Sequence, residues 1–103
     1  MSKISVSGRL DLATLNDWID VQVHHYDALR AGLRTVSGSW GTAQVVIEVA
    51  VDGQAYVATS PATAFTANGA SAELGLTSLA RVRARVATAD AAAGTVEAVF
   101  VLH

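Results

Sequence analysis

The sequence predicts an all-β domain, an antiparallel two-sheet sandwich or jelly roll, and two observations carry that expectation. Apolar and polar residues alternate over short runs from Trp40 to Leu102, the period that places successive side chains on opposite faces of a sheet. Turn-forming pairs, Asp52-Gly53 and Asn68-Gly69, punctuate those runs at the spacing expected of an all-β domain.

The N-terminal third admits two readings. Leu12, Leu15 and Ile19 fall at helical spacing behind Asp11, a residue suited to an N-cap, so one short helix is a candidate there. From Trp18 onward the β-forming run Trp18-Ile19-Asp20-Val21-Gln22-Val23 favours a strand that turns Trp18 away from Ile19, Val21 and Val23. Residues 26–33 divide the same way: Tyr26, Leu29 and Leu33 share a helical face, while Leu29, Ala31 and Leu33 share a strand face. No linker divides the chain, which reads as one domain over 1–103, with residues 1–25 open to a role as an N-terminal arm exchanged between subunits.

From Ser37 the signals sharpen. Gly38 and Gly41 bracket Trp40 in a turn, and Val45, Ile47, Val49 and Val51 then form an apolar face with Gln44 and Glu48 on the other. Asp52-Gly53 suits a two-residue type I′ hairpin returning into Ala55-Tyr56-Val57-Ala58. Pro61 cannot donate to a ladder and marks a break or an edge. Asn68-Gly69 repeats the hairpin pattern between Phe65 and Leu74, and a last pair of strands is expected over 79–88 and 95–102.

Hydrophobic residues make up 51% of the chain but aromatics only 6%, so its core is built largely from small side chains and favours support by self-association. A net charge of −2 gives no bulk attraction to nucleic acid. Without cysteine there is no disulfide, thiolate metal site or thiol nucleophile. Residues 1–6 lack the apolar run of a signal peptide and no stretch is long and apolar enough to span a membrane, so a protein made and kept in the cytosol, or released by cell lysis rather than by secretion, is expected.

The one conspicuous chemical feature is Arg81, Arg83 and Arg85, which alternate with Val82, Ala84 and Val86 and therefore share a strand face. They read either as a solvated face partly neutralised by Glu97 across the final hairpin, or as an interface stripe whose guanidinium forks match carboxylates on a partner. Trp40, Tyr56 and Phe65, ordinarily packing aromatics, are the candidates for a sugar platform, the first two with the acidic loop around Asp17. His24 and His25 are adjacent and in a strand would face opposite ways, so no metal site is expected. The Ser37-Gly38-Ser39-Trp40-Gly41 segment lacks the order of a nucleophile elbow, and no phosphate loop is present. No catalytic residue, cofactor or metal is expected, and the chain reads as a non-enzyme.

Several segments taken together carry a resemblance: Tyr26-Asp27-Ala28-Leu29, Val36 to Thr42 with its Ser-Gly-x-Trp-Gly-Thr pattern, Val49 to Val57 with its Val-Asp-Gly step, Ala67-Asn68-Gly69, Leu79 to Val86, and Gly94-Thr95-Val96. Over residues 26–102 the chain resembles small β-sandwich virion proteins of tailed bacteriophages, of the head-decoration or fibre-base type. It differs by two extra residues before the Ser-Gly turn and by Ala84 in place of a larger β-former. The resemblance implies a non-enzymatic structural protein of the virion that decorates and stabilises the capsid as a symmetric homo-oligomer. Its partners would be itself and other virion proteins such as the major capsid protein, with no nucleic acid and no membrane. The alternative from the residues is a carbohydrate-binding or host-surface adhesion module.

Overall fold

The computed structural model describes residues 4–103, apart from the side chains of 60–62, and shows two antiparallel sheets packed face to face. The strands are β1 (Ile4–Asp11), β2 (Trp18–Gln22), β3 (Ala28–Ser37), β4 (Gln44–Ala50), β5 (Val57–Phe65), β6 (Gly69–Ala70), β7 (Leu74–Gly75), β8 (Arg81–Thr88) and β9 (Thr95–Leu102). A five-stranded sheet runs β1-β9-β3-β6, with β7 also on β3, and a four-stranded sheet runs β2-β8-β4-β5.

Alternation in the sequence becomes burial in the fold. Along β9, Val96, Ala98, Phe100 and Leu102 point inward while Thr95, Glu97, Val99 and Val101 point outward. Val82, Ala84 and Val86 do the same from β8 and are wholly buried. Leu10, Leu12, Leu29, Val45 and Ile47 fill the space between, and every described buried side-chain nitrogen or oxygen has a hydrogen-bond partner.

Among the described residues there is no helix. Residues 12–17 form a turn instead, because the Asp11 carboxylate accepts from the Ala13 N–H (3.0 Å) and the Thr14 hydroxyl (2.8 Å), and Asn16 adopts positive φ (66°). Leu12, at 0% exposure, is drawn into the core while Leu15 is left 57% exposed, so the helical spacing has no common face to serve. Of residues 26–33 the strand reading holds from Ala28, with Leu29, Ala31 and Leu33 all buried, while Tyr26 and Asp27 lie before the strand.

Three turn expectations are corrected. Asp52-Gly53 does turn the chain, with the Gln54 N–H on the Val51 carbonyl (3.0 Å), but only Gly53 has positive φ (74°), which excludes type I′, and pairing resumes at Val57. Val51 accordingly sits in the turn and is exposed rather than extending the inner face of β4. Asn68-Gly69 is not a hairpin, since β6 pairs with β3 and the chain crosses there between sheets. The last two long strands do not pair either: β8 lies between β2 and β4, and β9 between β1 and β3. The loop from 89 to 94 is long enough to bridge the roughly 10 Å between packed sheets, which a two-residue turn is not. Pro61 falls in β5, the edge strand of its sheet, where the register jumps from Ala58 opposite Glu48 to Thr63 opposite Ile47.

Candidate functional site

Because Val82, Ala84 and Val86 enter the core, Arg81, Arg83 and Arg85 stand on the outer face of the four-stranded sheet. Register then sets their neighbours. Trp18, Arg85, Val46 and Ala64 form one row across the four strands, and Asp20, Arg83, Glu48 and Ala58 form the next. The cations are therefore interleaved with carboxylates from β2 and β4.

Glu48 is the hub of this face. Its Oε1 accepts from Arg83 Nε (2.8 Å) and Arg85 Nε (2.9 Å), its Oε2 from Arg85 at 3.2 Å, and its side chain is 12% exposed. Arg85 also donates to Asn16 Oδ1 (2.9 Å), tying the sheet to the 12–17 turn. Tyr56 lies under both remaining guanidinium groups, 4.1 Å from Arg83 and 5.2 Å from Arg81, and donates its hydroxyl to Asp20 (3.1 Å). Burial, then that hydrogen bond, push the Tyr56 phenol up, so it remains a donor. Among the described residues Arg81 has no carboxylate in ion-pair range.

The Arg85 hydrogen bond, supported by Arg83, holds the Glu48 carboxyl below the ordinary glutamate range despite its partial burial. Since the folded value is depressed relative to the unfolded one, ionised Glu48 stabilises the fold above the unfolded value, and that contribution disappears as pH falls through the folded value. Asp11 and Asp90, lowered by hydrogen bonds from the Ala13 and Thr42 backbone respectively, act in the same direction. Urea unfolding midpoints should thus drop on acidification below the glutamate range, and Glu48→Gln should remove part of that dependence. An unaltered pH profile in Glu48→Gln would contradict the assignment.

Glu97 does not reach this network, because β9 belongs to the other sheet; its carboxylate instead accepts from Arg34 Nε (2.8 Å). Trp40 is only 8% exposed, and its indole N–H donates to Asn68 Oδ1 (2.8 Å), which also accepts from the Thr35 hydroxyl (3.0 Å). The ring thus packs in the core and pins the 66–68 crossing, while the Tyr56 face is occupied by arginine. His24 and His25 lie in a turn after β2 rather than in a strand, with ring centroids 6.4 Å apart. Asp17 is spent on local backbone, accepting from the Asp11 N–H (2.8 Å) and the Trp18 N–H (3.1 Å). Among the described residues no three His, Cys, Asp or Glu gather as metal ligands.

The sequence reading missed two members of this face. Trp18, 50% exposed, stands beside Arg85 at the sheet edge, and its signal was already present in its facing opposite to Ile19 and Val21. Glu48 was legible as an outward residue of β4, but its pairing with β8 was not.

No protein-family model matches the chain, and no curated protein matches it. Among solved structures it is similar in fold to the SPBc2 prophage-derived protein YomS, with a TM-score of 0.56 and 11% identity over 96% of this chain and 94% of that one. A chain from the disulfide-linked pili of Bacillus endospore appendages aligns at a TM-score of 0.49 and 16% identity, over 98% of this chain and 86% of that one.

Proposed function

We propose that this chain is a non-enzymatic structural protein of a tailed-phage virion, docking on the head surface through the outer face of the four-stranded sheet and stabilising the capsid lattice. The observation that carries the reading is an exposed aromatic on a fixed cationic face: Trp18, half exposed, beside an arginine pair held in place by Glu48, with Arg81 stacked on Tyr56 and without an ion-pair partner among the described residues. Tryptophan, tyrosine and arginine are the residues in which binding energy concentrates at interfaces. A face whose side chains are already immobilised loses little conformational entropy when a partner arrives. The whole-chain similarity in fold to a prophage-derived protein supports the same reading.

The decisive variants are Trp18→Ser and Arg81→Ser, both at positions outside the core. Each should leave the thermal transition within a few degrees of wild type. Truncating an aromatic anchor costs about 2 kcal/mol or more of binding, roughly thirtyfold in affinity, so the Trp18 variant should be lost from gradient-purified particles. Full retention of that variant on particles would overturn the reading.

A carbohydrate-binding role would have to be carried by Trp18, since Trp40 is buried and the face of Tyr56 is covered. Saturable glycan-array binding abolished by Trp18→Ala would favour that role instead.

A further inference from the structure

All six arginines sit on the outer faces of the two sheets, and those on the five-stranded sheet are less neutralised than those beside Glu48. Arg9, Glu97 and Arg34 form one row of its outer face, Ser7, Val99 and Gly32 the next, and Ser5, Val101 and Arg30 the third. Arg9, Arg30 and Arg34 are exposed, the Arg34 side chain by 72%, and Glu97 is the one carboxylate within these rows. Arg9 and Arg30 have no carboxylate in ion-pair range among the described residues. Between them lies a low apolar floor, Val99 and Val101, bordered by serine and glycine that allow close approach.

The complementary surface is on the same molecule. At one end of the sandwich the 12–17, 38–43 and 89–94 loops are clasped together, with the Leu12 N–H on the Gly94 carbonyl (3.0 Å), the Asp90 N–H on the Leu12 carbonyl (3.1 Å) and the Gly94 N–H on the Ser39 carbonyl (2.8 Å). Leu15 projects from this end, 57% exposed, and the same clasped loops carry Asp17 and Asp90, neither in a salt bridge among the described residues. Their carboxylates are fixed by local hydrogen bonds, Asp90 accepting from the Thr42 N–H (2.8 Å) and the Ala92 N–H (2.9 Å). One surface is an apolar floor rimmed by guanidinium groups, and the other an apolar tip on loops that carry carboxylates.

We propose that the outer face of the five-stranded sheet, through Arg9, Arg30 and Arg34, docks the Leu15-bearing acidic end of a second copy of this chain. Leu15 covers Val99 and Val101, and Asp17 and Asp90 face the arginines. Because the two surfaces are different patches, the contact is heterologous: it propagates from copy to copy rather than closing into a two-fold pair. Nucleic acid is a poor fit for the same face, because Glu97 and Asp11 lie on it and the molecule carries a net charge of −2. The proposal gives a partner and a geometry to the self-association side of the assembly reading, and it is tested in solution without particles.

The experiment uses sedimentation velocity on the full chain at about 20 mM and about 300 mM salt, conditions that differ strongly in screening. Wild type should grow in mean mass with concentration at low salt and much less at high salt. A face variant, Arg30→Glu with Arg34→Glu, and an end variant, Leu15→Lys, change only exposed residues and should each be monomeric alone. Mixed in equal amounts they should form a one-to-one complex and nothing larger, because each retains the half that the other lacks. A wild-type monomer at low salt, a variant that self-associates like wild type, or a mixture that stays monomeric overturns the interface. None of these outcomes bears on docking through Trp18, which the particle experiment decides.

Discussion

Gly94→Ala should be among the most damaging single-methyl changes in this protein. A Cβ at that position would collide with the Ser37 carbonyl oxygen and lie 2.7 Å from both the Ser37 carbonyl carbon and the Gly38 Cα. These are backbone atoms, so no rotamer change relieves the contact. The converse substitution at Gly38 meets Gly94 Cα at 2.8 Å and carries a φ of +70° as well. The close crossing of the two loops also carries the Gly94 N–H to Ser39 and the Leu12 N–H to Gly94, so separating them breaks the clasp at this end. The expected loss is about 3 kcal/mol or more. For a domain of this size that lowers the melting temperature by roughly 15 °C. Gly75→Ala is the matched control: an added methyl there meets nothing within 4 Å and φ is not positive, so calorimetry should find it near neutral or slightly stabilising. Equal, small effects at the two positions would show that the loops do not cross as described.

Phe100→Ala should cost about 3–5 kcal/mol, the usual range for deleting a fully buried phenylalanine. Phe100 is 0% exposed in β9, the strand flanked by both β1 and β3, and lies between Val6 and Ala31 in register. Its surroundings are poor in large side chains. Leucines, valines and alanines make up most of the core, with Phe65 and Trp40 the other buried aromatics, so little can swing in to fill the void. Against a total stability of about 5–15 kcal/mol for a typical domain, the loss is a large fraction of the whole. Urea denaturation should show the midpoint falling sharply with an unchanged slope, and a cost below about 1.5 kcal/mol would contradict the packing described.

Inward and outward facing was legible in the sequence along 18–23, 44–49 and 81–86, because one buried sheet face imposes period two whichever sheet the strand belongs to. Sheet membership was not legible. Asn68-Gly69 and the 89–94 loop carry turn residues that serve a hairpin and a crossing between sheets equally well, and the difference lies in contacts far along the chain. The same limit governed the candidate site. Three arginines on one face of β8 followed from Val82, Ala84 and Val86 entering the core, but their neutralisation depended on β4 pairing with β8, which brings Glu48 to residues 35 and 37 positions away. With β9 placed beside β8, Glu97 looked like the partner; with β9 in the other sheet, it serves Arg34. The helical spacing of Leu12, Leu15 and Ile19 misled for a local reason, since the Asp11 carboxylate binds the Ala13 N–H and stops the chain in a turn.

Docking through the four-stranded sheet is most directly examined by site-specific photocrosslinking inside assembled particles. A crosslinking side chain at Gln22, exposed on β2 and on the same face as Trp18, should join this chain to a different virion protein on illumination, while one at Gln54, in the exposed turn, should not. Particles that contain the protein yet yield no such product from position 22, or yield it from position 54 alone, would contradict the account.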